Sequence, residues 1–147
     1  MKLSKNIALD MAILIFCLCS FRAAAQDRDW LSYAPAVSRL HGKLIKITKY
    51  GRPTYGNSDQ DEKVEVPVLV LQLPVRIKAR PDSSVNNESL TNVSFVQLVF
   101  PAEARDYSKH LDKEMTVAGT LVRGYKGDHF TDAVMIVKAV NPTGRPM

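Results

Sequence analysis

Three histidines, His41, His110 and His129, are the side chains best suited to hold a metal or move a proton. Zinc needs three or four ligands converging in space, and the chain has no His-x-x-x-His and no Cys/His spacing. His110 lies among charges and reads as solvated. His41 adjoins a glycine in a strand pattern and reads as a surface residue. Asp128, His129 and Asp132 could share a weak site with His41 only if two distant strands lie side by side. There is no nucleophile-elbow spelling and no phosphate-cradling G-x-x-x-x-G-K loop. The expectation is therefore a non-enzyme, with no catalytic residue, no metal and no cofactor.

Binding is better supported. Tyr50, Arg52 and Tyr55 fall in one turn-rich stretch, and Tyr125, Lys126, His129 and Phe130 in another. Aromatic rings with cationic neighbours can stack on sugars or bases, grip acidic groups, or anchor a protein. These seven residues form the candidate ligand-binding set. The plainer alternative is that tyrosines in polar loops are ordinary exposed residues.

The stretch 115–140 organises the elements that must bring these loops together. Residues 115–122 alternate as a half-buried strand, 123–130 supply a glycine-rich charged loop, and 131–140 return to a Val, Ile and Met-rich strand. Gly119, inside the first strand, implies a bend or a close backbone approach. The same spelling occurs at Leu40-His41-Gly42-Lys43-Leu44, a chance match or the mark of two neighbouring barrel strands. Residues 37–49 read as the first strand and 64–79 as the second. Bulges or an exposed edge are expected near Pro67 and Pro74. Residues 93–100 read as a third strand. Residues 101–114 read as one short helix, with Pro101 at its start and Ala104, Tyr107 and Leu111 on one stripe. Trp30 and Tyr33 look like anchors pinning a lead-in segment to the core. The order β-β-β-α-β-β is that of a five-stranded OB-fold-like Greek-key barrel. The fold class expected is thus all-β with one short helix, and strands one and four should lie side by side. A small SH3-like barrel competes, but does not require the helix.

The chain has 147 residues, enough for one domain with its own core. Lys2 and Lys5, the apolar run 11–21 and Ala23-Ala24-Ala25 read as a signal peptide over residues 1–25. A single domain should follow over 26–140, with a flexible tail at 141–147. A lipoprotein anchor competes, but Phe16 and Leu18, not small residues, precede Cys17 and Cys19. Both cysteines leave with the signal, so the exported domain has no disulfide and must stand on its core. Cleavage removes three basic residues and one acidic one, lowering the formal charge from +5 to +3. That is too mild for a dedicated nucleic-acid binder.

The block Tyr33-Ala34-Pro35-Ala36-Val37, the L-x-G-x-L at Leu40–Leu44, and Val117-x-Gly119-Thr120-Leu121 carry a resemblance. With Gly127-Asp128-His129-Phe130-Thr131, they make the chain similar to the bacterial domain of unknown function family 4431. The resemblance implies a small exported barrel and brings no activity with it. Family members tend to carry several histidines in the turn after G-T-L, whereas this chain keeps only His129 there. The functional expectation is a periplasmic or secreted monomeric module that recognises a protein or cell-envelope polymer through barrel-rim loops. No nucleic acid and no membrane anchor are expected. An inhibitor or immunity protein against a secreted toxin or hydrolase is the alternative.

Overall fold

The computed structural model describes residues 30–102 and 106–142. The expected signal peptide and most of the expected tail lie outside them. Among the described residues six strands form one mixed sheet: β1 (Leu31–Ser32), β2 (Val37–Tyr50), β3 (Lys63–Lys78), β4 (Leu90–Val99), β5 (Glu114–Arg123) and β6 (Ala133–Asn141). All five expected strands are present. The third begins at Leu90 rather than 93, and the last at Ala133 rather than 131. β1 is an addition, running parallel to the end of β3 through Leu31–Ile77 and Ser32–Lys78.

β2 pairs with β3, β3 with β4, β4 with β6, β6 with β5 and β5 with β2, so the hydrogen bonding runs round in a ring. The β4–β6 pairing is parallel and the other four are antiparallel. Alternation along each strand turns one set of side chains inward. Leu40 and Leu44 of β2 are buried while Arg39 and Lys43, each immediately before one of them, are exposed. Leu44, Leu69, Val96, Met115, Leu121 and Met135 have no accessible surface, and burying each such side chain stabilises by about 2 kcal/mol. In β5 the alternation predicts one exposed face, yet Met115 to Gly119 are all buried. The His41 ring meets the Thr116 hydroxyl there at 3.1 Å and Glu114 at 3.4 Å.

The two glycine-centred strands are neighbours, as their shared spelling predicts, but the glycines do not face each other. Gly42 lies opposite Met115, and Gly119 opposite Ser38. Each glycine instead meets its strand's other neighbour. A Cβ on Gly42 would stand 2.2 Å from the Val70 carbonyl oxygen of β3, and one on Gly119 2.2 Å from that of Ile136 in β6. The β5–β6 register also shifts between Ala118 and Gly119. At both points the neighbouring strand leaves no room for a side chain.

β3 bulges where Pro74 interrupts it: its register on β4 shifts between Val70 and Val75. The bulge throws Leu73 outward, 60% exposed, out of the row shared by Leu69, Leu71 and Ile77. No bulge occurs at Pro67. It pairs with Lys46 in an unbroken ladder, and the β3–β4 ladder ends one residue away at Val68.

Among the described residues of 101–114 the expected α-helix is not formed: Ala102 and Ser108–His110 are in 3-10 conformation, and Asp112 follows in the left-handed region at φ 61°. A short segment rich in charge and poor in apolar residues gains too little burial to offset helix nucleation. Its backbone extends the sheet instead, with Lys113 O accepting from Leu44 N at 3.0 Å and Asp112 N donating to Leu44 O at 2.8 Å. Tyr107 and Leu111 still pack on the core, with Tyr107 stacked on Phe100 at 5.2 Å. They cap one end of the ring without a helix.

Tyr33 closes the other end. Only 1% exposed, it donates to Glu88 O at 3.2 Å. Burial raises its pKa, against the lowering effect of Arg123. Asn86 accepts from Arg123 N at 2.9 Å, and Arg123 pairs with Glu88 at 2.5 Å. Trp30, expected as a second anchor, is 42% exposed and carries the Arg76 guanidinium 5.0 Å above its ring. Extended backbone turns Leu31, half-buried, and Tyr33, buried, to one side, and Trp30 falls on the other.

Substituting Gly42 with Ala should lower stability by about 3 kcal/mol, because backbone rather than a yielding side chain occupies the Cβ position. Gly56→Ala, where a Cβ would meet nothing within 4 Å, should change it by less than about 1 kcal/mol. Urea unfolding of the two variants measures the difference.

Candidate functional site

The β2–β3 loop (51–62) and the β5–β6 loop (124–132) meet on the outer side of the ring. The contact is direct: a Cβ on Gly127 would stand 2.7 Å from the Tyr55 ring. Two grooves flank Phe130, which lines both. The larger, about 540 Å³, runs past Ile45, Ile47, Lys49, Phe95 and Asp132. The smaller, about 400 Å³, is bordered by Arg52, Tyr55, Glu62, Glu65, Gln97 and Asp128.

Of the seven candidate residues, Arg52, Tyr55 and Phe130 come together at these grooves, and Arg52 Nε donates to the Tyr55 hydroxyl at 3.2 Å. Tyr125, Lys126 and His129 form a separate cluster on the β5–β6 loop. The Tyr125 and His129 rings meet edge to face at 5.2 Å, and Lys126 lies 5.3 Å from the centre of the Tyr125 ring. Tyr125 N donates to His129 Nδ1 at 3.3 Å. Tyr50 ends β2 opposite Lys63 and borders neither groove. His41 is held at the β2–β5 seam by Thr116 and Glu114. Among the described residues no three His, Cys, Asp or Glu side chains converge as a metal site.

Two polar side chains hold the loops, and pattern reading passes over both. Gln97 sits on β4, 7% exposed. Its Oε1 accepts from Phe130 N at 2.7 Å and its Nε2 donates to Asp128 O at 2.9 Å. Its own N–H donates to the Thr131 hydroxyl at 3.0 Å, which in turn donates to Ala133 O at 2.6 Å. The β5–β6 loop is thereby pinned over the outer faces of Val66 and Val68, themselves buried. A lone amide in the apolar run VSFVQLVF was the available signal.

Asp61 organises the other loop. Its carboxylate accepts from the backbone N–H groups of Thr54, Gly56 and Asn57, each at 2.7 Å, and from the Thr54 hydroxyl at 2.9 Å. Gly51 N donates to Glu62 O and Glu62 N to Arg52 O, closing the loop's neck. Burial pushes the Asp61 pKa up, but the donated hydrogen bonds outweigh it and bring the value down to about 2. The turn-rich stretch between β2 and β3 is thus internally ordered. Phe95, 55% exposed at the larger groove, is a further residue the sequence pattern does not single out.

No family model, curated protein or solved structure matches the chain. The chemistry of the rim follows from its geometry. The smaller groove sets Glu62, Glu65 and Asp128 against Arg52, and Lys46, 2.7 Å from Glu65, neutralises one of the acids. Three carboxylates against two cations leave this lining mildly acidic. The larger groove has one ammonium, one carboxylate and mostly apolar walls.

Two outcomes are expected. Gln97→Leu should lower stability by about 1–3 kcal/mol, because the Asp128 carbonyl and Phe130 amide lose their partner. Amide exchange at Phe130 should accelerate with it. For Asp61, a folded pKa near 2 lies below the unfolded value of about 3.9. The loop's stabilisation is thus complete above about pH 4 and is lost as pH falls toward 2. The Thr54, Gly56 and Asn57 amide resonances should titrate together near pH 2, and Asp61→Asn should abolish that titration.

Proposed function

We propose that this chain is an exported, non-enzymatic binding module. On this reading the closed ring is an OB-type barrel, and the rim around Phe130 recognises a protein or an envelope polymer. The observation that carries it is preorganisation. Asp61 and Gln97 fix both loops before any ligand arrives, so binding pays little ordering entropy. The strand order supports the barrel assignment: three consecutive antiparallel strands, with the next returning beside the first. Ligands of such barrels lie on the face and loops that here hold both grooves. The acidic lining of the smaller groove speaks against nucleic acid as the ligand. Export and a monomeric state belong to the same reading, which the resemblance to family 4431 supports. Inhibition of a secreted toxin or hydrolase is the second reading. The internal bonding of loop 51–62 favours it, since a pre-ordered loop can insert into a cleft without first being fixed.

Photo-crosslinker placed at Tyr55 should capture a discrete species in the native cell envelope. Its yield should fall by about tenfold in the Phe130→Ala background, equivalent to about 1.4 kcal/mol of lost contact. The same species captured equally from Lys78, or unchanged by Phe130→Ala, would remove the rim as the binding surface.

A further inference from the structure

Three aromatic rings follow one another across the two grooves. Phe95 and Gln97 are successive residues on the outer face of β4, opposite Val70 and Val68 of β3, and so about 7 Å apart. Gln97 holds the Phe130 amide at 2.7 Å, which sets Phe130 beside Phe95 in the larger groove. Phe130 also walls the smaller groove, where Tyr55 is the next ring. Phe95 is 55% exposed and Tyr55 37%. Among the described residues none of the three stacks on another aromatic ring. A single exposed ring is ordinary, but rings that share adjoining grooves form a track.

The lining around the track suits hydroxyl groups. Thr91, Asn92 and Ser94 border the larger groove, and among the described residues their side chains have no hydrogen-bond partner. Lys49 and Asp132 balance each other there, and the smaller groove is mildly acidic. A phosphorylated or sulfated chain would find no cluster of cations. The grooves lie over a sheet face, not along an edge: beneath them Ile45 pairs with Val68, and Val68 with Gln97. Those main-chain groups are already committed, so a peptide finds no strand to extend. What remains for recognition is aromatic surface and neutral polar side chains.

We propose that the track of Phe95, Phe130 and Tyr55 binds a neutral glycan strand laid across both grooves over Phe130. The apolar C–H faces of successive sugars stack on the rings. Sugar hydroxyl and N-acetyl groups take up the side chains of Thr91, Asn92 and Ser94. The inference rests on the binding-module reading and narrows its ligand from a protein or polymer to an uncharged polysaccharide.

Titration of the 15N-labelled protein with chitotetraose, cellotetraose and maltotetraose tests it. At least one of these should shift the amide resonances of Tyr55, Phe95 and Phe130 together. Phe95→Ala should weaken that binding by about tenfold, or about 1.4 kcal/mol, with the thermal midpoint preserved, and Phe95→Tyr should restore it. Four results would overturn the proposal: no shift with any of the three, shifts confined to one groove, binding indifferent to Phe95→Ala, or a heparin tetrasaccharide or random-sequence peptide pool shifting these amides where the neutral sugars do not. If the sugars fail while Tyr55 still crosslinks a protease-sensitive species, the module reading stands and the glycan alone falls. Loss of both removes both.

Discussion

The ring closes because two backbones come nearer to each other than any side chain would allow. At Gly42 the β2 chain meets the Val70 carbonyl of β3, and at Gly119 the β5 chain meets the Ile136 carbonyl of β6. Strongly coiled strands are needed to bring β4 and β6 together in parallel at Val96–Ala133. The glycines stand where that coiling leaves no room for a Cβ. The bulge in β3 serves the same curvature, and it is the reason Leu73 leaves the core row that its position in the alternation assigns it.

Closure then decides what the loops can do. Because β4 and β6 meet at Val96, the loop preceding β6 is delivered directly over the outer face of β4. There a single amide can bind two of its backbone groups. Because β2 and β3 continue past the body of the ring to Tyr50 and Lys63, their connection rises beside the same face. Asp61 gathers it into a knot of backbone hydrogen bonds. The two loops therefore depend on polar groups more than on apolar burial. Each has one side chain on which its conformation turns, Gln97 in one case and Asp61 in the other. Phe130 is the shared wall, held by its own N–H.

The same closure is incomplete in one place. β6 begins at Ala133 and the loop before it turns toward Gln97, so among the described residues no strand pairs with the first half of β4 on that side. The loop is pinned at the cost of the ladder: had it continued as strand, the β4–β6 pairing would extend further along β4. Site and gap are two consequences of a single change of direction at Thr131.

Period-two alternation determined the strands, since only that spacing buries one face of an extended chain. The glycine-centred echo placed β2 beside β5, and Pro74 marked the bulge because it has no N–H to give a ladder. The aromatic loops at Tyr55 and Phe130 were legible from composition. The helix was misread from propensity: the 101–114 segment does cap the core through Tyr107 and Leu111, but backbone bonds to Leu44 were available and helix nucleation was not worth its entropy. Which of Trp30 and Tyr33 goes inside, and which neighbour each glycine meets, depend on register, and a register is a relation between two strands. Gln97 is the clearest case. Its partners lie 31 and 33 residues away, so one amide among apolar residues acquires its role only after the ring has closed and brought Asp128 and Phe130 within hydrogen-bonding reach.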